Sequence, residues 1–261
     1  MCNQEGSSTQ HEILYNAIFR RKSVRKLQQD ALPEDKLQLI KEYASNIQPL
    51  FTGADTKIVF FSAGEVSPRF SIAAPHYAAF YGPSGKQGML SAGYQLQQLD
   101  LCLSAVGLGS CYLGMAKPQK EYAVQEGLSH LLMLAFGEPA VPCHRESTDE
   151  FSRKPLSAIC APGLPDELME PVRLAPSAIN AQPWYITHSG TSMQIWRAKP
   201  TGIKALLAGD ISVADMGIAL CHLQAAAEHA GLACVFNFEP EPAVLKGYEL
   251  ICSAEISKTE A

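Results

Sequence analysis

Gly93-Tyr94-Gln95-Leu96-Gln97-Gln98-Leu99, running on to Gly107-Leu108-Gly109, is matched later by Gly217-Ile218-Ala219-Leu220-Cys221-His222-Leu223, running on to Gly231-Leu232-Ala233. In register, Gly93 aligns with Gly217, Leu96 with Leu220, Leu99 with Leu223, and Gly107-Leu108 with Gly231-Leu232. The apolar positions predict one helix over about Leu90 to Val106, capped by Gly107, and another over about Val213 to Ala230. Two copies are too few for a solenoid. They point instead to two related halves fused in one chain, because either half alone would leave its long apolar helix half covered. The polar residues are divided between the copies. The first is preceded by the basic run Arg20-Arg21-Lys22-Ser23-Val24-Arg25-Lys26, the second by Ala175-Pro176-Ser177-Ala178-Ile179-Asn180-Ala181-Gln182-Pro183-Trp184. Neither copy has both, which predicts one composite site.

Outward from the helices, apolar positions Ile13, Leu14, Ala17 and Ile18 predict a short helix over 11–19, and Leu32-Pro33-Glu34-Asp35 opens another through about Ser45. Lys57 to Phe61 and Tyr77 to Tyr81 are strand candidates, the latter closed by Gly82-Pro83-Ser84-Gly85. A helical stretch follows near Glu121 to Glu126, then a central strand from His130 to Phe136 and a Pro-rich, charged linker from Glu138 to Asp149. The second half repeats the plan in shortened form. Phe151-Ser152-Arg153-Lys154-Pro155-Leu156 echoes Phe19 to Val24, and Leu164-Pro165-Asp166-Glu167 echoes Leu32 to Asp35. Trp184 to Thr187 and Met193 to Trp196 predict a hairpin around Ser189-Gly190, and Tyr248 to Cys252 a last strand.

Composition excludes some functions. With 21 Lys and Arg against 26 Asp and Glu, the net charge of −5 supplies no global basic field for nucleic acid. No apolar run approaches the roughly 20 residues of a membrane span. The lead from Met1 to His11 is polar, without the hydrophobic region of a signal peptide, and reads as disordered. Eight scattered cysteines without a CxxC pair argue against a metal site or a disulfide framework. Reduced buried thiols in a cytoplasmic protein fit them better.

Five cations and a hydroxyl within Arg20 to Lys26 suit a phosphate, with forked donors from arginine. They equally suit a helix C-terminus whose cations complement the macrodipole. In Ala175 to Trp184, Pro176 and Pro183 stiffen a loop bearing Ser177, Asn180 and Gln182. An amide such as that of Asn180 can read a heterocycle edge or a ribityl hydroxyl, although on spacing alone an ordinary helix-to-strand turn is the simpler reading. Leu108-Gly109-Ser110-Cys111-Tyr112-Leu113-Gly114 permits close backbone approach to a flat ligand, but by default it reads as a helix stop and tight loop. Cys111 has no adjoining cation in the sequence to activate it. His76 and His222 read as satisfied core or wall residues, and the dispersed acids offer no carboxylate pair. No catalytic side chain is assigned.

Taken together, these segments resemble the FMN-dependent nitroreductase superfamily. Arg21-Lys22-Ser23-Val24-Arg25 is similar to its RxSxR flavin-phosphate motif, Ala175 to Trp184 to its APSxxNxQPW loop, and Leu108 to Gly114 to its GLGSCWLG segment. Leu134-Ala135-Phe136-Gly137-Glu138-Pro139 is similar to the strand ending in GYP, and Arg153-Lys154-Pro155-Leu156 to the terminal RKPL. The order departs from the family. The position expected for the loop within the first half holds only the faint Tyr43-Ala44-Ser45-Asn46-Ile47-Gln48-Pro49-Leu50, and the intact loop lies in the second half.

The resemblance implies an α+β, nitroreductase-like α/β/α fold with a central, mostly antiparallel sheet. Two related halves, 12–150 and 151–255, would form an intrachain pseudo-dimer. It implies one FMN per chain, with Arg21, Lys22, Ser23, Arg25, Arg153 and Lys154 at the phosphate and ribityl end. Pro176, Ser177, Asn180 and Gln182 would reach across from the second half, and backbone N–H groups around Tyr112, Leu113 and Gly114 would face the ring. The implied activity carries electrons from NAD(P)H to a nitroaromatic, quinone or similar flat acceptor, and fusion removes the usual need to dimerise. A flavin-binding sensor, carrier or store with little turnover stays open, as does a flavin-dependent dehalogenase or dehydrogenase. A substrate-selecting lid is expected near Pro68 to Pro75 or Ala198 to Ile211.

Overall fold

The computed structural model describes residues 12–67, 69–122, 127–189, 192–200 and 211–258. The elements in chain order begin with α1 (12–18), α2 (Glu34–Ser45), β1 (Lys57–Ser62), β2 (His76–Gly82) and α3 (Lys86–Ala105). They continue with β3 (Gly109–Leu113), β4 (Ser129–Gly137), α4 (Asp166–Leu174), β5 (Trp184–Ser189) and β6 (Ser192–Ala198). The last are α5 (Ile211–His229), β7 (Leu232–Asn237) and β8 (Tyr248–Lys258).

The strands form two four-stranded sheets, ordered β1-β2-β4-β3 and β5-β6-β8-β7, with every pairing antiparallel. The second sheet has the order of the first, and in each the long helix falls between the second and third strands of the chain. The fold is α+β. The apolar run His130 to Phe136 lies in β4, an interior strand, in keeping with its near-continuous hydrophobicity. β2 is buried along its whole length.

α3 and α5 cross between the sheets, and most residues of both are buried. Glycine sets how closely they meet. A Cβ on Gly93 would stand 1.9 Å from the Ala214 carbonyl oxygen, and one on Gly217 would stand 2.0 Å from that of Leu90. Only the missing side chains let the two backbones touch. Leu96, Leu99, Leu220 and Leu223, all buried, share one core with Trp184 and with Phe80 and Phe136 of the first sheet. The in-register Gly93 and Gly217 are therefore where the two helix backbones touch, and the in-register leucines are part of the common core.

Two strands are absent from the sequence reading. Gly109–Leu113 is a strand where a tight loop is expected, paired with β4 through Ser110 opposite Phe136 and Leu113 opposite Met133. Leu232–Asn237 pairs with β8, which itself extends to Lys258. Both segments are short and follow a glycine, so their pairing with a distant strand decides their conformation. Of the helix expected near Glu121, the described part is a short 3-10 turn, Lys120–Tyr122, and 123–126 lie outside the described residues, as does the polar lead 1–11. The seven described cysteines are free. No helix among the described residues is long and apolar enough to cross a membrane.

Candidate functional site

After α1 the chain runs extended beside β3. Ser23 bridges to Ser110 in parallel, and Val24 N–H donates to the Ser110 carbonyl at 2.8 Å. Gly109 allows this approach, because a Cβ there would meet Leu27 Cδ2 at 2.8 Å and Val24 Cγ1 at 2.9 Å. The basic segment is thus brought to the edge of the first sheet, where a cavity of about 390 Å3 opens.

Both parts of the chain wall this cavity. Ser23, Arg25, Cys111, Tyr112, Leu113, Gly114 and Met115 come from the first; Pro176, Ser177, Ala178 and Ile179, with Ala214, Asp215 and Ile218 of α5, come from the second. Leu132 adds an apolar patch. Phe70 and Ile211 also line it, so each segment expected to hold a lid contributes a wall residue. Pro68 and 201–210, from those same segments, lie outside the described residues. Arg25 is exposed and has neither an ion-pair nor a hydrogen-bond partner among the described residues.

Several residues expected at the site lie beside or beneath the cavity instead. Arg21 is 2% exposed, and its Nε is 2.9 Å from Asp100 Oδ2, while Nη2 donates to Ser23 Oγ at 3.3 Å. Its guanidinium pairs with a buried carboxylate, and it is not among the residues that line the cavity. Arg153 donates to the carbonyls of Leu174 and Ala175 at 3.2 and 3.0 Å and to Asn180 Oδ1 at 2.9 Å. Burial first, then the nearby Arg21, Arg145 and Arg173, bring its pKa down to about 10. Lys154 N–H donates to Gln182 Oε1 at 2.7 Å, and its Nζ donates to the carbonyls of Ala181 and Gln182. Lys22 is half-buried and does not line the cavity.

Asn180 and Gln182 therefore turn back onto Arg153 and Lys154, leaving Pro176, Ser177, Ala178 and Ile179 to face the cavity. The loop is held in an unusual shape. Ile179, Asn180 and Gln182 have φ of 50°, 57° and 46°, a region that costs a β-branched residue on the order of 1–3 kcal/mol. The clamps that hold it are the Arg153 bonds, Asn180 Nδ2–H to the Ser152 carbonyl at 2.6 Å, Gln182 N–H to Ser177 Oγ at 2.9 Å, and Ala178 N–H to Asp215 Oδ1 at 2.9 Å.

A buried polar chain runs from this wall across the helix crossing. Tyr112 O–H donates to Gln97 Oε1 at 3.0 Å, and Gln97 Nε2 donates to Asp100 Oδ2 at 3.3 Å and to His222 Nε2 at 3.1 Å. His222 Nδ1 lies 2.7 Å from the Pro171 carbonyl. A carbonyl only accepts, so Nδ1 carries the proton and Nε2 accepts from Gln97. Ser110 Oγ–H closes the chain on Asp100 Oδ1. Complete burial drives the His222 pKa down to about 3, so the ring is neutral. His76 is a second satisfied core histidine, accepting from Leu32 N–H at 2.9 Å. Cys111 lines the cavity, but burial raises its pKa despite Arg25, so its thiol stays protonated rather than nucleophilic.

Asp215 is the site residue that the sequence reading lacks. It is 3% exposed, lines the cavity, and has a pKa pushed up to about 7 by burial against the opposing effect of the Ala178 bond. The signal was available: it stands two residues before Gly217, where the first helix has Ser91 in the matching position before Gly93.

Two sheets of like strand order around a pair of crossed helices, with a cavity walled by both parts of the chain, define an α+β protein of the nitroreductase-like class. A crystal structure described as a putative nitroreductase from Thermotoga maritima is similar with a TM-score of 0.59 and 24% identity, over 92% of this chain and 92% of that one. The model of the family described as "Putative TM nitroreductase" matches residues 13–227, and the chain belongs to that family. A nitroreductase family protein from Clostridium difficile is 15% identical with a TM-score of 0.44, over 59% of this chain and 98% of that one. A nitroreductase with bound FMN from Desulfitobacterium hafniense is 13% identical with a TM-score of 0.42, over 55% and 98%. No curated protein matches the chain.

Proposed function

We propose that this chain is an FMN-dependent oxidoreductase that carries electrons from NAD(P)H to a nitroaromatic, quinone or similar flat acceptor, with one flavin site per chain between two halves arranged as a pseudo-dimer. The observation that carries the reading is the composite lining of the cavity. Ser23 and Arg25 come from the half with the basic segment, and Pro176 to Ile179 come from the half with the proline-flanked loop. The matching strand orders of the two sheets support the pseudo-dimer. Family membership supports the class of reaction.

The residues present fit a flavin. Arg25, exposed and unpartnered among the described residues, is a cation suited to a phosphate, and Ser23 beside it adds a hydroxyl. Ser177 Oγ accepts from Gln182 N–H and retains its own O–H for a ribityl oxygen. Leu113, Leu132 and Ile218 form apolar walls that keep water from a flat ring. Arg153 and Lys154 act from behind, locking the strained loop that presents Ser177. When bound, the flavin supplies the redox chemistry, taking a hydride from the nicotinamide and passing electrons on, so the protein needs no side-chain acid or base to break bonds.

The absorbance spectrum of purified protein, titrated with NADH and with NADPH, tests this reading. Flavin bands at about one per chain, bleached by a nicotinamide and restored by menadione or a nitrofuran, are expected. Colourless protein that takes up no flavin ends the reading. Bound flavin that stays oxidised under excess nicotinamide replaces it with a flavin-binding protein without turnover.

A further inference from the structure

Asp215 presents an unmet hydrogen-bonding requirement at the cavity wall. Its Oδ1 accepts from Ala178 N–H at 2.9 Å, which fixes the plane of the carboxyl group. Its Oδ2 is buried without a hydrogen-bond partner among the described residues. Buried polar atoms in folded proteins are nearly always satisfied, so an orphan at a ligand cavity marks a group awaiting a ligand atom. The register of the helix pair sharpens the contrast. Ser91 occupies the matching position on α3 and also carries a buried hydroxyl unpartnered among the described residues, but it does not line the cavity. The carboxyl group is found only where the loop 176–179 completes the wall.

We propose that Asp215 reads the cavity's ligand as a neutral carboxylic acid, accepting from Ala178 N–H through Oδ1 and donating its own O–H from Oδ2 to a carbonyl oxygen or ring nitrogen of the flavin. The assignment rests on the flavin reading above. The Ala178 bond leaves Oδ2 as the oxygen that carries the proton, because Oδ1 is already an acceptor. An ionised carboxylate in the same place could only accept, and would repel the electron-rich edge of the ring. Among the described residues, the titratable groups around this position include the paired Arg21 and Asp100 on the other side of Tyr112, Arg25 from the basic segment, Cys111 and Tyr112 of β3, and Tyr94 of α3, which packs against α5. Burial raises the last three above their ordinary values, so none of them changes charge near neutrality. Burial likewise favours the protonated form of Asp215, to a pKa of about 7.

Asp215→Asn retains an acceptor for Ala178 N–H and places a permanent donor at the Oδ2 position, so it separates donation from bracing. Dissociation constants for FMN are to be measured by flavin fluorescence for both proteins at about pH 5.5 and about pH 8.5, either side of neutrality. Comparing the two proteins at each pH cancels the titration of the FMN phosphate. Similar affinities are expected at the lower pH, and wild type about tenfold weaker than the variant at the higher. An affinity ratio that does not change with pH overturns the assignment and leaves the flavin site standing. Wild-type protein that binds no FMN at either pH overturns the flavin reading itself. A measurement on wild type alone guards against a variant that fails to fold. In the infrared difference spectrum on FMN addition at about pH 5.5, the protonated-carboxyl band should shift to lower frequency, and a band unmoved by ligand overturns the assignment.

Discussion

Arg21 and Asp100 form an ion pair in the centre of the molecule, Nε to Oδ2 at 2.9 Å, with side chains 2% and 0% exposed. It joins the basic segment to α3 directly beneath the cavity. Asp100 also accepts hydrogen bonds from Ser110 Oγ and Gln97 Nε2, so its charge is met by two donors besides the guanidinium. Breaking such a pair from one side leaves an uncompensated buried charge, which costs about 3–5 kcal/mol, whereas replacing both partners with apolar groups is often neutral. Arg21→Met is therefore expected to lose stability in that range in urea unfolding, and Arg21→Met with Asp100→Leu to recover most of it. If the double variant is as unstable as the single, the pair is not acting as a charge pair.

The helix crossing makes the second prediction, with a sign opposite to helix propensity. Gly→Ala in an exposed helix gains about 1 kcal/mol. At Gly217 the new Cβ would sit 2.0 Å from the Leu90 carbonyl oxygen, and neither backbone can give way cheaply. Gly217→Ala and Gly93→Ala should each lower stability by about 1–3 kcal/mol or more, read as a fall of about 5 °C in the thermal midpoint. A raised midpoint would show that the helices do not meet at these glycines.

His222 predicts a loss of stability in acid. Its folded pKa of about 3 lies below the ordinary 6.5, so between those values the unfolded chain binds a proton that the native ring refuses. Stability then falls as pH drops through that window, by up to about 1.4 kcal/mol per pH unit from this group. Asp215 works in the opposite sense, because its raised pKa favours the native state at low pH and withdraws that favour as pH rises through about 7. The difference between wild type and His222→Gln isolates the histidine. Their unfolding free energies should converge as pH falls from about 6.5 toward 4; parallel curves would mean the ring is not buried neutral.

Arg25 tests the phosphate end. Arg25→Gln should weaken FMN binding about tenfold or more, in line with the loss of a charge-assisted contact, while affinity for riboflavin, which lacks the phosphate, should hardly change. Equal losses for both ligands would place the arginine's role elsewhere.

The two long helices are legible from sequence alone, because an apolar run closed by a glycine acts locally, whereas their contact at Gly93 and Gly217 involves residues far away along the chain. The division of polar motifs between the copies likewise foretells a cavity walled by residues from both parts of the chain. Tertiary structure decides what each polar side chain does. Arg21 belongs to the basic segment by spacing, yet Asp100, distant in sequence, pairs with it in the interior. The spacing marks Asn180 and Gln182 as ligand-facing amides, and the fold hydrogen-bonds them to Arg153 and Lys154. β3 is a strand only because β4 pairs with it. Asp215 is unremarked among scattered acids until burial and one missing hydrogen bond single it out. Helix formation is settled by neighbours along the chain, whereas the state and direction of a charge are settled by what is buried against it, and only the fold supplies that.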